Sequence, residues 1–162
     1  MIYSKTCEYA IRALGYLASR ADKTPATTAE VSAEAGVPQA YVAKIFQCLV
    51  RAQILDSKSG PGGGYFFRVE PSKLTLLGVI RALDDLSQSP LTKCVMGQTK
   101  CNDKDPCPLH DIWAKAKEEM NQRLGKETIL DVASNRNVAY WNKKRRVMLS
   151  RRMQNVFGYS VS

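Results

Sequence analysis

Cys94, Cys101 and Cys107 stand in one polar stretch with His110 just beyond, spaced C-x6-C-x5-C-x2-H. Thiolate and imidazole are the donors that iron and zinc take from proteins. The spacing is neither the C-x2-C of a zinc ribbon nor the C-x-x-C of a dithiol oxidoreductase. Wide intervals let a loop wrap something larger than one ion. Iron–sulfur clusters are held mainly by cysteine thiolates, and histidine can replace one of them. The donor set leaves two alternatives open: structural zinc in a Cys3His set, and unliganded thiols that sense oxidants directly.

The elements that must position these groups follow from local pattern. Pro108 suits a first helical position, which makes Cys107 an expected N-cap, where a helix dipole and free amides would lower its pKa. His110 would then be the third helical residue, able to meet Cys107 at one metal centre, with Asp111 in the same turn. From Pro108 the periodicity predicts one long helix to about Val132, its apolar face made by Leu109, Ile112, Trp113, Ala116, Met120 and Leu124. Such a helix on a small domain can serve as a dimer seam. Trp113 reads as a packing anchor, and Cys7 and Cys48, on apolar faces, read as small core residues.

Upstream, the order is helix, glycine turn, helix, glycine-rich hairpin. Residues 3–20 carry Cys7, Ala10, Ile11, Leu14, Leu17 and Ala18 at helical spacing, and Asp22 to Pro25 ends that run. Thr27 or Thr28 can cap a second helix, with Glu30 completing a capping box on Thr27, and Gly36 stops it. A third helix runs from about Gln39 to Ala52 with Val42, Ile45, Phe46 and Leu49 inward. Ile54–Ser57 and Tyr65–Val69 read as strands around Gly60-Pro61-Gly62-Gly63-Gly64, and Leu74–Leu86 as a further helix. This is a mainly α chain with a β-hairpin wing, the pattern of a winged helix-turn-helix, whose second helix enters a major groove by its N-terminal end. Its outward residues are Gln39, Ala40, Tyr41, Ala43, Lys44 and Gln47. Glutamine reads adenine, tyrosine and lysine hold phosphates, and alanine can touch a thymine methyl. Thr28 joins that set, and Lys58, Ser59, Gly60, Pro61, Gly62 and Gly63 offer a wing that can approach a sugar-phosphate wall closely.

Charge sharpens this. The 162 residues carry 24 Lys plus Arg against 15 Asp plus Glu, net +9. Residues 1–75 hold 9 basic and 6 acidic side chains, residues 76–131 hold 8 and 9, and residues 132–162 hold 7 and none. Most of the excess therefore sits in a tail from 133 onward, so double-stranded DNA as partner rests on the geometry of residues 27–69. The tail, with Lys143 to Arg146, Arg151 and Arg152, reads either as a solvated appendage or as a non-specific phosphate contact. Three units result: 1–75 for DNA, 76–132 for the cysteine loop and dimer helix, and 133–162. The longest apolar run, Leu74 to Ile80, is far short of the about 20 residues a bilayer needs, and no secretory signal opens the chain. A cytoplasmic setting with reduced thiols is expected. Neither a nucleotide fingerprint nor a His–acid pair at recognisable spacing suggests an enzyme.

The run Val37-Pro38-Gln39-Ala40-Tyr41-Val42, through Ile45 and Leu49 to Ser57-Lys58-Ser59-Gly60-Pro61-Gly62-Gly63-Gly64-Tyr65, resembles the bacterial iron–sulfur cluster regulators (IscR) and nitric-oxide-sensing repressors (NsrR). The opening Met1–Leu17 resembles theirs too, so the likeness covers about residues 1–132. Many relatives carry Arg where Ser59 stands here; Lys58 is a possible substitute. The resemblance implies a homodimeric transcription regulator with recognition helix and wing on DNA, its affinity set by a cluster sensing redox, iron or nitric oxide status. It implies Cys94, Cys101 and Cys107 as thiolate ligands, though the first interval is one residue longer than usual. Cys107-Pro108-Leu109-His110 followed by Trp113 is similar to the IscR pattern, where this histidine is fourth ligand to a [2Fe-2S] centre. In the nitric-oxide sensors an acidic residue at the place of Glu8, from the other subunit, ligates a [4Fe-4S] cluster. The motif match favours His110 and the two-iron centre slightly.

Overall fold

The computed structural model describes residues 3–84, 92–98 and 102–134. Cys101, the Leu86 end of the fourth predicted helix and the tail from residue 135 lie outside the described residues.

The N-terminal half follows its local signals closely. Helix α1 (Lys5–Ser19) starts at Ser4, whose hydroxyl accepts from the Cys7 amide. It buries Cys7, Ala10, Ile11, Ala13, Leu14 and Leu17, the predicted stripe with Ala13 added and Ala18 only half-buried. Helix α2 (Thr28–Ala35) is capped by Thr27, which accepts from Glu30 N, and ends at Gly36 with φ 61. That left-handed turn is why glycine stands there. Helix α3 (Gln39–Arg51) buries Val42, Ile45, Phe46 and Leu49, each side chain contributing about 1.5–3 kcal/mol on leaving water. Strands β1 (Leu55–Lys58) and β2 (Gly64–Phe67) pair antiparallel with Leu55 opposite Phe67 and Lys58 opposite Gly64. A bridge between Ala26 and Tyr65 (2.9 and 2.8 Å) ties this hairpin to the start of α2. Glycine is obligatory at 64, because a Cβ there would lie 2.5 Å from the Ala26 carbonyl oxygen.

The C-terminal half departs further from expectation. Helix α4 (Leu76–Leu83) is capped by Thr75. The single helix predicted from Pro108 to Val132 is two: α5 (His110–Lys126) and α6 (Ile129–Ser134), the latter taking the first two residues of the predicted tail. The break is built by Thr128 and Asp131. The Asp131 carboxylate accepts from the Thr128 amide (2.8 Å) and hydroxyl (2.6 Å), and the Thr128 hydroxyl accepts from the Asp131 amide (3.2 Å). The two residues thus cap each other reciprocally at the start of α6. The extended chain there bridges Thr128 to Thr75, with Leu76 N donating to Glu127 O and Ile129 N to Leu74 O. Helix α6 thereby turns back onto α1, where a Cβ on Gly15 would meet Val132 at 3.0 Å. Among the described residues no helix is long and apolar enough to cross a membrane.

Candidate nucleic-acid interface and cysteine site

Gln39, Ala40, Tyr41, Lys44 and Gln47 are all exposed along α3, and Ala43 is half-buried. The first turn of α3 holds no acidic residue, so nothing there offsets the positive end of its dipole. Two contacts pre-orient the reading end. The Gln39 side-chain amide donates to the Thr28 hydroxyl (3.3 Å), which places half-buried Thr28 behind the recognition residues. Tyr41, 51% exposed, meets Tyr9 of α1 edge-on at 5.5 Å. In the wing Lys58, Ser59, Gly60, Pro61 and Gly62 are exposed and Gly63 half-buried. Gly63 N donates to Gly60 O at 2.9 Å, and Gly60 and Gly62 adopt φ 87 and 70. A Cβ on Gly63 would lie 2.3 Å from the Lys58 carbonyl oxygen, so the tip tolerates no side chain there.

A residue that the periodicity did not single out holds the helix-turn-helix together. Arg12 lies in the middle of α1 and is only 6% exposed. Its Nη2 donates to Ala35 O (2.6 Å) and Gly36 O (3.1 Å), the carbonyls left over where α2 ends. Its Nη1 faces Glu8 at 3.7 Å, and its guanidinium lies 5.9 Å from the Tyr9 ring centre. The available signal was the Glu8–Arg12 spacing of four, which pairs charges on one helix face.

Cys94 and Cys107 come together, Sγ to Sγ at 3.7 Å. Cys94 is buried and Cys107 half-buried. The Cys94 thiol is held below its ordinary pKa, first by the Met96 amide, then by the Gln98 amide, Cys107 and the charge of Lys117, against an opposing effect of burial. Amides aimed at sulfur favour the thiolate, the form that binds metal. The expected capping role of Cys107 is corrected. Helix α5 begins at His110 with Leu109 before it, and the Cys107 carbonyl accepts from His110 N (2.9 Å) in a tight turn. Cys107 stands two residues before the cap, because Pro108 and Leu109 form a turn ahead of the helix. His110 is 8% exposed, its Nε2 2.8 Å from Asp103 Oδ1. A carboxylate on an imidazole fixes its orientation, as partners of metal-bound histidines do. Asp111 is exposed. Trp113 is half-buried and donates from Nε1 to Lys93 O (2.9 Å), pinning the loop next to Cys94 onto α5. Among the described residues no three His, Cys, Asp or Glu side chains gather as a metal site. Glu8 is half-buried on α1, paired with Lys5 and Arg12.

The other two cysteines differ. Cys7 is fully buried and its thiol is pushed up to about 12, first by burial, which makes it inert core as expected. Cys48 is half-buried rather than core, its sulfur accepting from Arg51 (3.2 Å) at the surface of α3. On α5 the predicted apolar face is largely uncovered in the single chain. Leu124 is buried and Trp113 and Met120 are half-buried, whereas Ala116 and Leu109 are exposed and Ile112 is 76% exposed.

Comparison with known proteins agrees with this architecture. A family model described as Rrf2, iron-dependent transcriptional regulator, matches residues 3–135. The chain is 28% identical over 130 residues to the HTH-type transcriptional regulator IscR of Serratia proteamaculans, covering 80% of this chain and 77% of that one. Among solved structures, CymR, the global cysteine regulator of B. subtilis, superposes with a TM-score of 0.68 at 19% identity, over 83% of this chain and 97% of that one. IscR of T. potens gives 0.63 at 21% identity, over 81% and 85%. With the helix-turn-helix, the glycine wing and a family match over most of its length, the chain belongs to the Rrf2 family of winged-helix transcriptional regulators.

Proposed function

We propose that this regulator binds its operator as a homodimer and that an iron–sulfur cluster held by Cys94, Cys101, Cys107 and His110 sets its affinity. The observation that carries the reading is the 3.7 Å separation of Cys94 and Cys107 beside buried His110. Two thiolates on one tetrahedral metal, each at about 2.3 Å, stand about 3.8 Å apart. That favours a two-iron centre with both sulfurs on one iron over a four-iron centre, where each thiolate takes its own. Cys101 would supply a third thiolate and His110 the fourth donor; Glu8, across the dimer, is the alternative. When bound, the cluster supplies one-electron redox chemistry and sensitivity to iron supply and nitric oxide.

The chain's own residues supply the transmission. Trp113 ties the Cys94 segment to α5, whose uncovered Leu109 and Ile112 form the patch a second copy would cover. Glu8 faces Arg12, and Arg12 holds the carbonyls at the turn before α3. A change at the loop or at Glu8 thereby reaches the recognition helices, whose spacing must match the about 34 Å repeat of successive major grooves. A cytoplasmic setting fits this role.

The same sulfur distance favours a second reading without a cluster. Cys94 and Cys107 can close to a disulfide, losing two protons and two electrons to a peroxide that is reduced to water. Anaerobic purification separates the readings. Iron with visible absorption, and operator affinity that falls on Cys107→Ala, supports the cluster. Colourless, iron-free protein with affinity unchanged by Cys107→Ala overturns it, and a peroxide-driven loss of two mass units confined to these cysteines supports the disulfide.

A further inference from the structure

Between the C-terminal end of α1 and the strand β2 lies a cavity of about 280 Å³, away from the cysteine loop. Its wall is apolar: Leu17, Ala18, Phe66, Phe67, Val69 and Pro71. A dry pocket of about 150 Å³ suffices for benzene, so this one has room for a fused aromatic ring. The lining also carries Arg20, Lys23 and Arg68 against a single acid, Glu70. Glu70 is already engaged by Lys73 at 2.8 Å. Arg20 is structural: it donates to Thr24 O (3.0 Å), Thr24 Oγ1 (2.8 Å) and Asp22 (3.0 Å), bracing the turn in which Lys23 takes φ 51. Among the described residues the Arg68 side chain makes an open, solvent-facing pair with Asp56 at 3.4 Å, which a competing carboxylate can displace at little cost. An apolar slot with Lys23 and Arg68 on its rim is complementary to a flat ring carrying a carboxylate.

We propose that this cavity is a binding site for a small aromatic carboxylate, with Lys23 and Arg68 taking the carboxylate and the apolar lining around Leu17 and Ala18 the ring. Both phenylalanines belong to the wing strand, so by linkage occupancy and wing position bias one another. The site is independent of cluster chemistry. The test uses full-length protein, titrated by calorimetry and thermal shift with 1-naphthoate and, as the neutral match, 1-naphthamide. Saturable binding of the acid at millimolar concentration or below is expected, with the amide weaker by about tenfold, the worth of a charge-assisted contact. Arg68→Gln, on the surface, is expected to weaken the acid by about the same factor and leave the amide unchanged. Ala18→Trp, which fills the slot, is expected to abolish both. No saturable binding, equal binding of acid and amide, or affinity indifferent to Arg68→Gln overturns the proposal. A seat already filled by this chain's own residues beyond 134 would register as no binding, and so as refutation.

Discussion

Replacing Arg12 isolates the energetic cost of the clamp beneath the recognition helix. A guanidinium this deeply buried is costly to desolvate, so its contacts must offset that cost. Two of them are charge-assisted hydrogen bonds to Ala35 O and Gly36 O, at 2.6 and 3.1 Å. Each such bond contributes about 1.5–3 kcal/mol, and losing both leaves two carbonyls at the end of α2 without that donor. Arg12→Met keeps the aliphatic stem and also removes the buried charge, so the expected net loss is about 2–4 kcal/mol. For a chain of this size that is a drop in melting temperature of about 5–12 °C. Arg12→Lys keeps the charge but cannot fork to two carbonyls, so it should recover less than half. The pair with Glu8, 3.7 Å apart and partly exposed, contributes less than about 1 kcal/mol, and Glu8→Gln should be correspondingly mild. Urea denaturation gives the stabilities. Operator binding measured where every variant is folded should weaken in the order Glu8→Gln, Arg12→Lys, Arg12→Met. An Arg12→Met protein within about 1 kcal/mol of the parent would refute the clamp.

Four further outcomes follow. Gly36→Ala forces a left-handed residue and sets a Cβ 3.0 Å from Arg12 Nη2, so chemical denaturation should show a loss of more than about 1 kcal/mol, less of it in an Arg12→Met background. Gly64→Ala must open the Ala26–Tyr65 bridge, costing about 1–3 kcal/mol and detaching the wing, which should weaken operator binding in a mobility-shift assay. With its thiol at about 12, Cys7 should resist alkylation at pH 8 in the folded protein while Cys94 of metal-free protein reacts ahead of it; peptide mass mapping that finds Cys7 labelled as early as Cys94 would contradict the burial argument. The Asp131 carboxyl is held below its ordinary value by the Thr128 hydroxyl and amide, so its stabilisation is intact above about pH 4 and is lost as pH falls through the lowered value. Amide exchange in α6 should therefore quicken on acidification in the parent and be fast at both pH values in Asp131→Asn.

What the sequence disclosed, and what it withheld, divides by the range of the interaction. The apolar stripes of α1 and α3, the Thr27 cap, the Gly36 stop and the wing turn are settled by residues within one or two turns of each other, and they appear where pattern puts them. The exposed set on α3 that is proposed to face DNA follows from the same stripe, as its complement. Arg12 was not legible because its partners are 23 and 24 residues away, and an arginine beside an apolar stripe ordinarily snorkels to water. Cys48 departs from the expected core position for a related reason, since apolar spacing marks a face of α3 but not how far the neighbouring elements cover it.

The break between α5 and α6 is more instructive, because a local signal was present. Thr128 and Asp131 have capping-box spacing, yet Leu124 carries the helical period up to the break and Ile129 resumes an apolar pattern just past it. Two rules thus competed over the same residues, and backbone pairing decided between them. An unbroken helix would leave Leu76 N without Glu127 O and Ile129 N away from Leu74 O, and would carry Val132 off the notch at Gly15. The break therefore keeps α5 anchored to α4 at its lower end while its upper end, with Ile112 uncovered and Trp113 bonded to Lys93 O, stays with the cysteine loop. A helix fixed at one end by its neighbours and tied at the other to the cysteine loop has little freedom except at that loop. This is the place where the gain or loss of a ligand at Cys94 and Cys107 would alter how two copies meet.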